Sequence, residues 1–496
     1  MISTGAVGMG ILYLINFITI IIIIFFSRKD MSTTFAWLLL LVFLPIIGFL
    51  FYFFLGSTKK LELMTKKYSL AEAEEEYEMA VHEAARELES GREAFVDPYT
   101  ANYKDMILAN VENAKAIYTE DNDVQLLING QGKFPRMFEE IEKAEHNINV
   151  MYFIYKTKDE IGRQFTRLLI KKAKEGVEVR LLYDGLGCLK TKIGDFAELE
   201  KAGGHVQRFL PSMLKTILQA NYRLHRKMVV IDGRVGYTGG INVGDDYLGK
   251  YPKISPWRDT SVRVTGRAVW ELQLLFFKDW TFCSKQNRKY RNSTYLEEFR
   301  DREDKFFPPK LTGEGNMGVQ IIQCGPDAKY QVHKDNYVKI CNSAKKYLYI
   351  QSPYFVPDQT LLDSIRLAAQ SGVDVRMMIP GIADKKAVYN VAMSYVEELL
   401  EAGVKIYKYR GFIHSKTMVT DNFIATVGTT NLDIRSFKLD WEVNTLVYDR
   451  DFAVTCRDTF MNDIDDCDEI IYDEFMKRGR WQYFKESICR FISPLS

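Results

Sequence analysis

A chain of 496 residues, 47% apolar and 26% charged, can bury large cores and divides into roughly two to four structural units, which excludes a disordered or fibrous protein. Its 66 basic residues nearly cancel 65 acidic ones, so no global positive field exists to hold DNA or RNA by counterion release, and no nucleic-acid partner is expected. Seven cysteines, at positions 188, 283, 324, 341, 456, 467 and 489, form no Cys-x-x-Cys pair and read as reduced cytoplasmic thiols.

From Gly8 to Phe26 and from Thr33 to Leu55 the sequence is nearly free of charge, and each run meets the roughly 20 residues that a spanning helix needs. A short polar turn, Ser27-Arg28-Lys29-Asp30, joins them. A cleaved signal peptide is the alternative for the first run, but no basic residue precedes it and a second apolar run follows at once. The expectation is an N-terminal transmembrane helical hairpin over 1–58. Lys59, Lys60, Lys66 and Lys67 outnumber Arg28 and Lys29, which predicts a multi-pass cell-membrane protein with its catalytic domains on the cytoplasmic side. The stretch 61–90 is rich in Glu, Ala and Leu, with Glu72, Glu74, Glu75 and Glu76 clustered, and reads as a solvated helix within a spacer over 59–120.

Beyond residue 120, short β-rich runs alternate with helical patterns, which predicts an α/β fold. Strands are expected at Asn147-Ile-Asn-Val-Met-Tyr-Phe-Ile154 and Val177-Glu-Val-Arg-Leu-Leu-Tyr183, flanking a helix from Arg163 to Lys174. The second half repeats the first: Tyr347-Leu-Tyr-Ile-Gln-Ser-Pro353 parallels the first strand, and Gly372-Val-Asp-Val-Arg376 parallels Gly176-Val-Glu-Val-Arg180. Such a duplication predicts two similar domains, 121–313 and 314–475, about a pseudo-twofold axis, followed by a basic and aromatic tail, 476–496.

The repeat is sharpest where polar residues are densest. His225-Arg226-Lys227, Asp232 and Asn242 recur as His414-Ser415-Lys416, Asp421 and Asn431, each displaced by 189 positions. Two such matches among six histidines arise by chance on the order of once in several thousand sequences. Met228-Val-Val-Ile231, Asp232-Gly233 and Arg234-Val-Gly-Tyr-Thr238 read as strand, turn and strand, and Thr417 to Val427 does the same around Asp421-Asn422. Side chains at i and i+2 of a strand share a face, so His225 points with Lys227 and His414 with Lys416. Each hairpin returns to Gly239-Gly240-Ile-Asn242 or Gly428-Thr-Thr-Asn431, adding a carboxamide.

That inventory suits attack on a phosphodiester, which needs its anionic oxygens neutralised, a nucleophile in line and a proton for the leaving alkoxide. Lys227, Lys416, Asn242 and Asn431 can supply the first; two histidines can divide nucleophilic and acid–base work. No metal and no cofactor is expected, because the lysines take the place of a divalent cation and no carboxylate-rich cluster stands beside them. An imidazole also needs a partner that fixes its tautomer. Chain order suggests Glu442, in Leu439-Asp-Trp-Glu442-Val-Asn444, for His414, and Asp259, in Trp257-Arg-Asp259, for His225. Asp232 and Asp421 are compatible with a chemical role or with capping of their turns.

These residues closely resemble the paired motifs of the phospholipase D superfamily. With Asn221-Tyr-Arg-Leu-His-Arg-Lys227, Gly244-Asp-Asp-Tyr247, Asp433-Ile-Arg-Ser-Phe437 and two amino-terminal apolar runs, the whole chain looks like a bacterial cardiolipin synthase. The resemblance implies two phospholipase D-like α/β/α domains and a phosphatidyltransferase whose membrane partners are phosphatidylglycerol and cardiolipin. It implies His225, Lys227, Asp232, His414, Lys416 and Asp421 as the catalytic set, with His225 as nucleophile and His414 as the acid that protonates departing glycerol. Leu224 stands where many relatives carry a small polar residue. A hydrolase using water, or transfer to another alcohol, fits the same motifs. An inactivated scaffold would lack one of the two His/Lys pairs, and both are present. Oligomerisation with further copies is compatible with the sequence.

Three further stretches carry two readings each. Phe209-Leu-Pro-Ser-Met-Leu-Lys-Thr-Ile-Leu218 fits either a bilayer-facing segment or a core helix. The run Met476-Lys-Arg-Gly-Arg-Trp-Gln-Tyr-Phe-Lys485 mixes basic and aromatic residues as interfacial segments do, or packs as a tail. Tyr152, Tyr354 and Phe355 end the first strands of the two halves and either line the site or join the core.

Overall fold

The structure, a computed structural model, describes residues 4–26, 31–52, 71–90, 95–209, 221–284, 303–309 and 315–493. The runs Asn147–Tyr152 and Glu178–Asp184 are buried almost throughout because both of their faces are covered, and they pair in parallel, Asn147 opposite Glu178 and Tyr152 opposite Tyr183. The helix between them, Glu160–Lys174, buries Phe165 and Leu169 against Val150, Val179 and Leu181. These are the expected strand, helix and strand, with their ends shifted by a few residues.

In the first half the sheet runs in the order Thr119–Ile128, Thr260–Thr265, Val235–Gly239, Met228–Ile231, Asn147–Tyr152, Glu178–Asp184, His205–Phe209. The second half has the same order: Met317–Cys324, Asp440–Tyr448, Ile424–Gly428, Thr417–Thr420, Tyr347–Gln351, Asp374–Pro380, Lys405–Tyr409, with Cys467–Glu469 added at its outer edge. The first strand of each half pairs antiparallel with the other, Thr119 opposite Val319, which fuses the two into one continuous sheet. Helices Val332–Ser343, Gln359–Gln370 and Lys386–Glu401 cover the second half as Asn129–Glu142 and Glu160–Lys174 cover the first. On the opposite face, Ala268–Ser284 and Arg450–Ile464 contribute Leu272, Trp280, Phe452 and Phe460 to a core shared by both halves. The result is the expected phospholipase D-like α/β arrangement, with helices on both faces of the sheet.

Both motif hairpins form in the expected register, Met228 opposite Thr238 and Thr417 opposite Val427. Their aspartates sit at the turns with φ of 52° for Asp232 and 51° for Asp421, left-handed conformations that Asp tolerates. Asp232 accepts the backbone N–H groups of Glu145, His146 and Asn147, each at 2.8 Å, and Asp421 accepts those of Lys345, Lys346 and Tyr347 at 2.6 to 3.0 Å. Each carboxylate thereby clamps the turn to the start of the neighbouring strand. At about 3.3 Å per strand residue the turns lie well over 10 Å from the histidine end of the hairpin. The geometry assigns Asp232 and Asp421 to the turns and not to the reacting centre; of the two roles open in the sequence, capping is the one they fill.

Near the amino terminus, Thr4–Phe26 is one helix of 23 residues without a charge, with side chains described from Gly10 onward. Met31–Phe43 and Pro45–Phe51 follow as two shorter helices, because Pro45 has no N–H to continue the ladder. Among the described residues no helix is long and apolar enough to cross a membrane. The expected turn Ser27–Asp30, the lysines at 59, 60, 66 and 67, and the apolar run beyond Phe209 lie outside the described residues. Within the expected spacer, Ala71–Ser90 is helical.

Replacing Asp232 by Ala strands three backbone donors, and stability in urea unfolding is expected to fall by about 2–4 kcal/mol. The more exposed Asp421→Ala is expected to cost less, since water can reach the amides it leaves.

Candidate active site

The segments entering the two motifs decide which groups meet. Arg223–Leu224, just before His225, pairs in parallel with Asp440–Trp441, just before Glu442. Phe412–Ile413, just before His414, pairs in parallel with Trp257–Arg258, just before Asp259. Each histidine amide continues the register, His225 N–H donating to the Trp441 carbonyl at 3.0 Å and His414 N–H to the Arg258 carbonyl at 2.6 Å. The next side chains therefore face each other across the halves. His225 Nδ1 lies 2.8 and 2.9 Å from the two carboxylate oxygens of Glu442, and His414 Nδ1 lies 2.7 Å from Asp259 Oδ2. This reverses the expected pairing, which put Glu442 beside His414 and Asp259 beside His225. Chain order points within one half; the two parallel strand pairs carry each acid into the other.

Both carboxylates are fully buried, and His225 and His414 are 9% and 7% exposed. A carboxylate on Nδ1 favours the Nδ1–H tautomer and leaves Nε2 of each ring for a substrate. Burial and the nearby Lys227 and Lys416 push the His225 imidazole well below its ordinary range, and burial with Lys416 lowers His414 to about 4 against the pull of Asp259. The acids diverge. Burial raises Glu442 to about 7 despite Lys227, whereas the His414 ring, Lys416 and the Thr260 amide overcome the burial of Asp259 and hold it below its usual value.

Lys227 and Lys416, 0% and 1% exposed, each donate from Nζ to the carbonyl of the histidine two residues earlier. Burial lowers them to about 8 and about 7. Asn242 Nδ2 donates to Tyr247 Oη at 3.1 Å while its Oδ1 accepts the Ile154 N–H at 3.0 Å. Asn431 Nδ2 lies 3.3 Å from Ser436 Oγ, leaving Oδ1 buried without a hydrogen-bond partner. Gly240 is required for the crossing, because a Cβ there would stand 2.1 Å from Asp259 Oδ1. All ten site residues expected from the sequence are thus accounted for. Eight belong to the two crossed half-sites, and Asp232 and Asp421 belong to the turns.

Other groups were silent in the sequence. Phe153, one residue beyond the expected Tyr152, sets its ring 4.8 Å from the His225 ring, and Trp257 stands 5.2 Å from that of His414. Tyr152 and Phe355 are core residues, and Tyr354 donates to Asp384. Lys133, 0% exposed on Asn129–Glu142, donates to the Ile241 carbonyl at 3.1 Å, and burial lowers it to about 7. A lone lysine on an amphipathic helix carries no signal of this. Arg226 ties the motif to Asp279 and to the carbonyls of Glu442 and Cys324, and Arg258 joins Asp463 at 2.8 Å and Ser415 Oγ at 3.1 Å.

Because His225 and His414 are held neutral below the 6.5 of a free imidazole, the unfolded chain binds more protons as the pH falls through that value. Stability is therefore expected to drop between about pH 6.5 and 4, read as a falling melting temperature. Nitrogen NMR is expected to show two neutral Nδ1–H rings at pH 6.5, and Asp259→Asn to move the His414 titration lower still.

Known proteins are similar to this chain in sequence and in fold. The family model described as "Cardiolipin synthase, PLD-like domain" matches residues 137–251 and 337–464, and that of the phospholipase D-nuclease N-terminal region matches 14–57. The chain is 41% identical to the major cardiolipin synthase ClsA of Bacillus subtilis, over 99% of this chain and 100% of that one. It is likewise 41% identical to the cardiolipin synthase of Listeria innocua, over 98% of each. Among solved structures, phosphatidylserine synthase of Haemophilus influenzae superposes with a TM-score of 0.56 at 16% identity, over 74% of this chain and 92% of that one, a likeness of fold. A chain with two crossed His/Lys half-sites and relatives at this identity over nearly its whole length belongs to the bacterial cardiolipin synthases, phosphatidyltransferases of the phospholipase D superfamily.

Proposed function

We propose that the two half-sites join two phosphatidylglycerols into cardiolipin and glycerol through a phosphohistidine. The observation that carries this reading is the crossed pairing of His225 with Glu442 and His414 with Asp259. The anionic phosphate of the first lipid, with Asp259 on Nδ1, draws a proton onto His414; His225 Nε2 then attacks phosphorus while the His414 imidazolium gives its Nε2 proton to the departing glycerol oxygen and becomes neutral. His414 then accepts the proton of the second lipid's terminal hydroxyl, whose oxygen attacks phosphorus and returns His225 to its neutral form. In both pairs the acid sits on Nδ1 and leaves Nε2 of the ring to the substrate. Asp259, held below its usual value, stabilises the imidazolium that His414 needs as an acid.

Lys227 and Lys416 supply the positive charge that a phosphodiester in this buried site needs, and Asn242 and Asn431 lend amide groups beside them. An arriving phosphate anion draws both ammoniums back to the charged form. The membrane reading joins this one: the apolar helix Thr4–Phe26 and the helices to Phe51 anchor the chain as a hairpin, with the two domains, 121–313 and 314–475, on the cytoplasmic side. That placement brings the site to its phospholipid substrates.

The test is purified protein with phosphatidylglycerol vesicles in EDTA, following lipids by chromatography and mass spectrometry. Cardiolipin and glycerol are expected, unchanged by the chelator; phosphatidic acid alone would replace the transferase reading with a hydrolase. His225→Ala and His414→Ala are each expected to lower turnover about a thousandfold or more with the fold intact. Full activity in either would overturn the two-half mechanism. Above about pH 8, where the empty-site lysines shed their charge, KM for phosphatidylglycerol is expected to rise.

A further inference from the structure

The tail that the sequence left as interfacial or packed forms a helix, Arg480–Ile492, that is both. Gln482, Glu486 and Cys489 lie on one side, at i, i+4 and i+7. There Gln482 donates to Asn390 at 3.1 Å, Glu486 is 3% exposed, and Cys489 packs against the core of the second half. Trp481, Phe484, Ile488 and Phe491 lie at i, i+3, i+7 and i+10, and are 66%, 50%, 43% and 58% exposed. At about 100° per residue the two stripes point some 150° apart. A helix held on the domain by one face thus turns a continuous apolar stripe away from it, in a place where packing has no use for Trp and Phe.

The charges say what covers that stripe. From 476 to 496 the chain carries Lys477, Arg478, Arg480, Lys485 and Arg490 against one acid, Glu486, which faces inward. Nearby acids are already matched: Glu397 and Glu486 hold Arg478, and Glu398 stands 3.9 Å from Arg490. Asp473 and Glu474 precede the helix by more than one turn. Lys477, Arg480 and Lys485 remain exposed beside the apolar stripe, and Lys485 Nζ lies 5.7 Å from the Trp481 ring. An apolar ridge flanked by cations complements an anionic bilayer surface: rings and aliphatic groups enter the acyl boundary while ammonium and guanidinium groups meet phosphates.

We propose that Arg480–Ile492 is a second membrane contact, an in-plane helix that docks the second half of the enzyme on anionic phospholipid. This rests on the phosphatidylglycerol reading above, since the substrate itself supplies the anionic surface. A helix of this kind holds the second domain at the level of the head groups, at a point far along the chain from the amino-terminal anchor.

The full chain, with Cys489→Ser and Phe484→Cys carrying an environment-sensitive fluorophore, is reconstituted in vesicles of phosphatidylglycerol and phosphatidylcholine; the other six cysteines are buried and unreactive. Leu367→Cys, an exposed position on Gln359–Gln370, is the control. Quenching of the 484 label by doxyl-labelled lipid, absent at 367 and weakened in pure phosphatidylcholine, is expected. Protein that floats with the vesicles while its 484 label answers only to aqueous iodide overturns the helix proposal and leaves the anchor intact. Protein that fails to float overturns the anchor reading and the helix proposal together. Energy transfer between labelled copies, without lipid quenching, gives the stripe to a second copy and overturns the proposal. Independently, Arg480→Glu with Lys485→Glu is expected to raise the KM for phosphatidylglycerol, as surface mole fraction, on the order of tenfold with kcat unchanged. An unchanged KM overturns it.

Discussion

Two carboxylates with no exposed surface, Asp259 and Glu442, set the terms on which the halves of this enzyme meet. An ion withdrawn that far from water persists only if hydrogen bonds and opposite charge replace the lost hydration. Neither acid has an imidazole of its own half within reach, so each is satisfied by the other's. The strand pairs Arg223–Leu224 with Asp440–Trp441 and Phe412–Ile413 with Trp257–Arg258 impose this, and Gly240 opens the space for it. The shared core beneath, from Trp280 on one side to Phe460 on the other, keeps the strands from sliding.

Burial makes the site work as well as hold. The same desolvation that lowers Lys227 and Lys416 keeps them poised to gain from a phosphate anion, because charge interactions there are weakly screened. Neutral imidazoles are nucleophiles and bases; charged ones are not. The duplicated site is not fully symmetric: both oxygens of Glu442 lie within hydrogen-bond reach of His225 Nδ1, whereas Asp259 presents Oδ2 to His414 and accepts the Thr260 N–H on Oδ1.

Much of this was legible in the sequence, and the limits have physical reasons. The 189-residue displacement holds from His225 to Asn242 because a hairpin and the loop that closes it tolerate no insertion without losing register. Beyond it the displacement drifts, to 200 between the first strands at Asn147 and Tyr347 and to 183 between Asp259 and Glu442, since connecting loops absorb insertions freely. The strands, their α/β alternation and the site inventory followed from local pattern. The exchange of partners did not, because it is a contact between residues 217 and 155 apart with no local signature. Lys133 and Phe153 were hidden for the reverse reason: each sits in an ordinary helix or strand pattern, and only its surroundings single it out.

The antiparallel pairing of Thr119–Ile128 with Met317–Cys324, with both halves on one chain, has a bearing on dilution. A site assembled from two separate half-proteins would come apart as the protein became scarce. Here the second half is always present at the effective concentration fixed by its tether, so the complete pair of imidazoles forms in a single copy of the chain. The enzyme thus keeps its full activity per molecule, however thinly it is spread.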